Sequence, residues 1–227
     1  MKNSDQLLKK ISHSCKKLNA NPFFMFENST KNIFINNYSY LELKKQKVNF
    51  ENFDNIFCDG SLLAFLASKK IGKKIERVSF DETSYAFEWI DRAMQEDMDI
   101  LIIGASEDEN QKFISQLKKL SKRNYKSIRG LSGYDLDIND IQISNNVPSL
   151  IIVGLGTPYQ ENLITLLSKK FRNKKNKLIF FSCGGFITQT SKSNEHDLSY
   201  YPRIINKFNL RWLYRFFNEK HTLKRTI

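Results

Sequence analysis

The chain has 227 residues, 41% of them hydrophobic, and a formal net charge of +12 from 36 Lys and Arg against 24 Asp and Glu. This suits one sizeable domain with a real core and an appendage, rather than two full domains. Cys15, Cys58 and Cys183 lie far apart with no C-x-x-C pair. That argues against a zinc site or a disulfide framework and suits a reducing cytoplasm.

In chain order, residues 1–20 place Leu7, Leu8, Ile11, Cys15 and Leu18 at helical spacing, which predicts a helix packed on the core. The same stretch is lysine-rich and lacks the apolar run of a signal peptide. Asn32 to Asn36 and Asn55 to Cys58 read as strands. Leu62 to Ile71 reads as a helix ending at Gly72, and Thr83 or Ser84 as the cap of a helix running to about Gln95. Asp99 to Ile103 is a buried strand ending at Gly104. Ser106 then caps a helix to about Arg123, with Glu107, Asp108 and Glu109 in the first turn, where acids suit the helix dipole. Tyr125 to Arg129 is a short strand. Ser149 to Val153 reads as a fully buried parallel strand, Asn162 to Phe171 as an amphipathic helix and Leu178 to Ser182 as a last strand. The uncharged run Ile143 to Gln160 contains Asn145, Asn146, Pro148 and two glycines, so it is a strand and turn rather than a membrane span.

Residues 187–201 are polar without periodicity and read as a mobile loop. Beyond them Ile205, Phe208, Trp212 and Phe216 recur at helical spacing beside Arg203, Lys207, Arg211 and Arg215, a basic amphipathic helix. The expected organisation is a core over 1–190 and a loop with a basic helical appendage over 191–227.

Strands alternating with helices predict an α/β fold with a mainly parallel central sheet flanked by helices. Ligands of such sheets bind outside the carboxyl ends of the strands. Asp59, Gly104, Gly156 and Gly184 all fall there. A glycine at such a place is more often only a turn residue, but four strand ends with an acid beside one of them mark a site. The most informative stretch is Gly154-Leu155-Gly156-Thr157-Pro158-Tyr159-Gln160-Glu161. It predicts a tight turn and an exposed helix N-terminus, a common anion site. A dinucleotide fingerprint wants a small residue where Tyr159 stands.

The pattern G-x-G-x-P-x-Q-E resembles the signature of the WecG/TagA/CpsF glycosyltransferases, glycosyltransferase family 26, and the similarity runs from about Ile33 to Arg225. Phe57-Cys58-Asp59-Gly60 resembles the family's Asp-Gly after an early strand. Glu76-Arg77-Val78-Ser79-Phe80-Asp81 is similar to its arginine followed by Gly-x-Asp, with Phe80 in the glycine's place. Arg129-Gly130-Leu131-Ser132-Gly133-Tyr134 resembles its Gly-x-x-Gly-Tyr element, and Cys183-Gly184-Gly185-Phe186 its last glycine-rich turn. Leu210-Arg211-Trp212-Leu213-Tyr214-Arg215 is similar to its tail motif, with Arg211 replacing an acid. Tyr200-Tyr201-Pro202 stands where the family has Arg-x-Pro, and a tail proline is lost after Glu219.

The resemblance implies the family's GT-E-like α/β fold with a C-terminal appendage. It implies inverting transfer from a nucleotide sugar, usually a UDP-sugar, to an acceptor on a membrane lipid diphosphate. The sugar would be N-acetylmannosamine or a related hexose, and the product would feed a surface polysaccharide. The protein would lie in the cytoplasm, peripheral on the inner face of a bacterial membrane, and an assembly into a homo-oligomer is compatible with this. No cofactor and no nucleic acid is expected.

The implied base is Asp59, which would take the proton from the acceptor hydroxyl, a role typically worth about 10²–10⁴-fold in rate. By residue type alone Asp59-Gly60 is more often a plain turn. Asp81 is the second acid, placed to hold sugar hydroxyls or the tail. Asn36 stands near the asparagine of the family's Thr-x-Asn segment, with no threonine suitably before it. Gly60, Gly104, Gly133, Tyr134, Gly156 and Gly184 would line the substrate. Gln160 and Glu161 would hydrogen-bond nucleotide or sugar, although Glu161 also suits a first-turn acid that serves only the dipole. Asp97-Met98-Asp99 lies at the amino end of a strand, the wrong edge, and Asp135-Leu136-Asp137 is no family motif, so no metal is expected. Backbone amides with Arg215 and Arg225 would stabilise the leaving diphosphate instead.

The net charge calls for an acidic partner, whether nucleic acid, an anionic membrane or phosphorylated substrate. Two alternatives follow. One is a nucleic-acid-binding α/β enzyme such as a methyltransferase, with steeply salt-dependent binding. The other is a catalytically inactive family scaffold.

Overall fold

The computed structural model describes residues 2–120 and 127–193. Six parallel strands form one sheet: β1 (Thr30–Ile35), β2 (Asn55–Cys58), β3 (Asp99–Gly104), β4 (Ile128–Leu131), β5 (Ser149–Gly154) and β6 (Leu178–Ser182), in the spatial order β2-β1-β6-β5-β3-β4. The helices are α1 (Lys2–Ala20), α2 (Asn37–Lys45), α3 (Ser61–Ile71), α4 (Ala86–Gln95), α5 (Glu107–Leu120), α6 (Tyr159–Lys170) and α7 (Phe186–Ser191).

Strand side chains alternate between faces, and the core divides along that alternation. Ile33, Ile35, Ile56, Leu101, Ile103, Ile151 and Val153 join one apolar layer with α1, α2, α3 and α6. Phe34, Phe57, Ile100, Ile102, Leu150, Ile152 and Phe181 join the other with α4, α5 and α7. Both faces are covered, which is why the strands read as continuous apolar runs. In the second layer Trp89 stacks on Phe181 with ring centroids 5.0 Å apart. Phe80 lies 5.2 Å from Phe181 and meets Phe186 edge-on at 5.5 Å. The bulk at position 80 therefore fills an aromatic core, and losing such a ring costs about 3–5 kcal/mol.

The sequence expectations hold for α1, β2, β3, β6 and the end of α3, where Gly72 closes the helix at φ 74. Ser106 and Glu109 form a reciprocal capping pair at the start of α5. Elsewhere the structure corrects them. Helix α4 starts at Ala86, because Thr83 donates to Asp81 and the Ser84 hydroxyl accepts from the Ser79 N–H instead of capping. Helix α6 starts at Tyr159, three residues before the expected start. Strand β4 begins at Ile128; residues 121–126 lie outside the described residues. The loop expected over 187–201 opens instead as helix α7, with Phe186, Ile187 and Thr190 buried against the second layer. The rest of that loop and the basic tail, with Arg215 and Arg225, lie beyond the described residues.

Candidate functional site

Because all six strands run the same way, every strand's carboxyl end lies on one edge of the sheet. That edge brings the sequence candidates into three groups.

The first group lies after β1 and β2. The Asp59 N–H donates to the Ile35 carbonyl at 2.8 Å, so the β1–β2 ladder carries the acid to the sheet edge. Arg77 then clamps it. Its Nε donates to the Asp59 carbonyl oxygen at 2.9 Å, and one terminal nitrogen reaches Asp59 Oδ1 at 3.3 Å and Asp81 Oδ2 at 2.5 Å. The segment bearing Arg77 is held beside β2 by the Val78 N–H on the Cys58 carbonyl. Burial opposes the charge on Arg77, but Asp81 and then Asp59 outweigh it and raise its pKa above the ordinary arginine value. The Asp59 side chain stays 34% exposed, against 14% for Asp81. So of the two acids Asp59 is the more open to a ligand. Asn36, half-buried, caps α2 through the Ser39 N–H. Gly60 caps α3, and a Cβ there would lie 3.2 Å from the Asn36 Cβ.

The second group joins β3, β4 and β5. Gly104 adopts φ +144, and a Cβ on it would meet the Gly154 carbonyl oxygen at 2.4 Å. Only glycine fits that approach. Asn110 is buried and donates from Nδ2 to the carbonyls of Gly104 at 2.7 Å and Leu131 at 3.1 Å. The Gly133 N–H donates to the Ala105 carbonyl at 2.9 Å. Tyr134 projects from this turn, 69% exposed.

The third group is the turn after β5. Gly156 has φ +73 with nothing within 4 Å of an added Cβ, so this part of the turn borders open space. Gly184 after β6 is likewise open. Gln160 and Glu161 differ: they are 3% and 0% exposed. Glu161 Oε1 accepts from Thr157 Oγ1 at 3.1 Å and Gln160 Nε2 at 2.9 Å, and Gln160 Oε1 accepts from the Gly184 N–H at 3.1 Å. Burial raises the pKa of Glu161 despite those donors, and Oε2 has no hydrogen-bond partner among the described residues. The sequence alone treats this pair as ligand contacts. The fold makes them the internal brace between the two turns.

Between the first and third groups the sheet has a seam. The β1–β6 register runs only from Thr30–Ile179 to Asn32–Phe181, while β5 and β6 pair as far as Val153–Ser182. The Phe34 N–H goes to Ser182 Oγ at 3.0 Å instead. Beyond the seam α2 leaves β1 into one layer and α7 leaves β6 into the other. Adjacent strands whose connections part to opposite faces form the usual crevice of α/β sheets, and β3 and β5 meet the same condition, with α5 on one layer and α6 on the other. Arg77 is the residue that sequence reasoning passed over. Its signal was the i, i+4 spacing to Asp81, read only as a motif match.

Asp97 and Asp99 lie at the amino edge as expected, with Asp99 opening β3. Asp137 is spent capping a 3-10 turn through the Asn139 N–H. Among the described residues no group of three or more His, Cys, Asp or Glu is placed to hold a metal. No described helix is long and apolar enough to cross a membrane.

A carboxylate clamped at the carboxyl edge and an open glycine turn leading into a helix N-terminus thus share one edge of an α/β sheet, the edge where ligands of such sheets bind. The chain belongs to the glycosyl transferase WecG/TagA/CpsF family, whose model matches residues 10–227. It is also similar to the UDP-Gal:alpha-D-GlcNAc-diphosphoundecaprenol beta-1,4-galactosyltransferase of Shigella boydii. The two are 33% identical over 195 residues, covering 85% of this chain and 78% of that one.

Proposed function

We propose that this glycosyltransferase moves a hexose, with inversion, from a UDP-sugar to an N-acetylglucosamine-type acceptor on a polyprenyl diphosphate, a step in surface polysaccharide assembly. The named relative acts on such a donor and acceptor. The observation that carries the mechanism is the part-exposed carboxylate of Asp59, held by Arg77 at the carboxyl edge of the sheet.

In this reading Asp59 accepts the proton of the acceptor hydroxyl as its oxygen attacks the anomeric carbon. The bond from that carbon to the diphosphate oxygen breaks on the opposite face, and the nucleotide diphosphate leaves. Such a base contributes about 10²–10⁴-fold. Arg77 keeps Asp59 aimed, and Asp81 steadies Arg77 or holds sugar hydroxyls. The turn from Gly154 to Pro158 and the first amides of α6 receive the diphosphate. Arg215 and Arg225 of the tail add positive charge without a metal. Gln160 and Glu161 act by fixing the distance between the two glycine turns, and Asn36 and Gly60 shape the wall beside Asp59. The enzyme works at the inner face of the cell membrane.

The test is transfer to a synthetic lipid-diphosphate N-acetylglucosamine with UDP-galactose and UDP-N-acetylmannosamine offered separately. Asp59→Asn should remain folded, still bind the donor, and lose roughly 10²-fold or more in turnover. Near-normal turnover by that variant removes Asp59 from the mechanism, and no transfer from either donor removes the donor assignment.

A further inference from the structure

Helix α3 is turned the wrong way round for an ordinary core helix. Its inner face carries the small residues Ala64 and Ala67, both buried. Its outer face carries the large apolar ones: Leu62 is 55% exposed, Phe65 64% and Leu66 49%. Residues 62, 65, 66 and 69 follow i, i+3, i+4, i+7, so the three apolar side chains and Lys69 share one stripe. Helix α2 repeats the arrangement with Tyr38, Leu41 and then Lys45, and its Leu43 faces inward. Together the two helices hold five of the eight large hydrophobic side chains exposed among the described residues. Such clustering marks an interaction surface.

The two helices lie on the same layer of the sheet, and a Cβ added to Gly60, the cap of α3, would lie 3.2 Å from the Cβ of Asn36, the cap of α2. Both therefore start at the carboxyl edge, beside Asp59, and the apolar patch occupies that end. Lysines follow it: Lys44 and Lys45 in the last turn of α2 with Lys47 beyond, and Lys69 and Lys70 in the last turn of α3 with Lys73 beyond, all exposed. Lys74 is paired with Glu76 at 2.9 Å.

We propose that the outer faces of α2 and α3 form a docking surface for an anionic phospholipid bilayer. Leu62, Phe65, Leu66 and Leu41 would enter the interface, and the flanking lysines would meet headgroup phosphates. Charge selects this occupant over the other two. A second copy packed two-fold with these helices parallel would set lysines against lysines. The chain's own tail from Pro202 carries seven Lys and Arg against the single Glu219, and is repelled by the same lysines. The purpose of the surface, to bring Asp59 to a lipid-borne hydroxyl, rests on the acceptor proposed above; the lipid binding does not.

The experiment is vesicle flotation of the full chain with phosphatidylglycerol-containing and pure phosphatidylcholine vesicles. The parent should float with the anionic vesicles only. Phe65→Ser/Leu66→Ser and Lys69→Glu/Lys70→Glu should each weaken that binding about tenfold or more. Both should keep their melting temperature and their transfer to a short-chain, water-soluble acceptor. As a second reading, Phe65→Cys labelled with a polarity-sensitive dye should shift to the blue on anionic vesicles. Undiminished flotation of both double variants, or an unshifted dye, overturns the proposal. So does a parent dimer that Phe65→Ser/Leu66→Ser converts to monomer with vesicle binding intact. If flotation behaves as expected but no lipid diphosphate accepts sugar, the docking surface stands and the acceptor assignment fails.

Discussion

Gln160 on α6 accepts a hydrogen bond from the backbone N–H of Gly184, 24 residues downstream, at 3.1 Å. The side-chain Nε2 of Gln160 in turn donates to Glu161 Oε1 at 2.9 Å. One buried side chain thus couples the turn after β5 to the turn after β6, and the two glycine loops keep a fixed separation.

Gln160→Ala removes a buried acceptor and a buried donor together. It leaves the Gly184 N–H unanswered and takes one donor from Glu161. The expected loss is about 1–3 kcal/mol of stability, read from urea unfolding with unchanged m-value. Transfer should fall as well, because the turns proposed to receive the diphosphate lose their spacing. A variant as stable and as active as the parent would show that the loops hold themselves.

Arg77 offers a second test. Arg77→Met leaves Asp59 and Asp81 facing each other without their shared cation. Transfer should fall at least about tenfold, with stability lowered by about 1–3 kcal/mol, since the pair is only partly buried. Arg77→Lys keeps the charge but cannot reach the Asp59 carbonyl and both carboxylates from one planar group. It should restore stability better than turnover. Full turnover in Arg77→Met would show that Asp59 is aimed by the β-strand alone.

Glu161 gives the pH dependence. Burial raises its folded pKa above the ordinary 4.5. The folded chain therefore holds this proton more tightly than the unfolded chain does. The corresponding stability is complete below the unfolded value and is lost as pH rises through the folded pKa. Glu161→Gln keeps the shape of the protonated acid and carries no proton to lose. Melting temperatures taken from acidic to alkaline buffer should decline less in Glu161→Gln than in the parent. Parallel curves would mean that Glu161 ionises without cost.

Metal is the fourth question. Asp97 and Asp99 lie at the amino edge and Asp137 caps a turn, and the mechanism proposed above assigns the diphosphate to arginines and turn amides. Transfer should persist in excess chelator. A loss reversed by Mg²⁺ or Mn²⁺ would point to Asp135 and Asp137.

Much of the layout was legible in the residues themselves. Asn55-Ile56-Phe57-Cys58 has the observed bounds of β2 because a short apolar run followed by Asp-Gly admits few other readings. The strand-end position of Asp59, Gly104, Gly156 and Gly184 followed from the β–α alternation. Helix α2 escaped notice because its cap is an Asn36–Ser39 box and its apolar residues face both ways. Helix α7 escaped because Thr188-Gln189-Thr190-Ser191 looks like a loop, yet α7 packs on α5. The brace from Gln160 to Gly184 and the seam beside β6 depend on strand order, and no local pattern specifies which strands become neighbours. Glu161 reads from sequence as a ligand contact or a first-turn acid, and the fold buries it completely.

Cys58 and Cys183 close β2 and follow β6, each directly before a residue of the proposed site, and both are buried in the resting fold. Burial lifts the Cys58 thiol to about 12 and that of Cys183 higher still. Neither offers a thiolate to an alkylating reagent until its stretch of the sheet edge opens. The rates at which the two thiols are trapped thus clock, separately, the breathing of the acid-bearing side and of the side proposed to take the nucleotide. A donor that seats in the crevice should slow the second clock, and an acceptor the first.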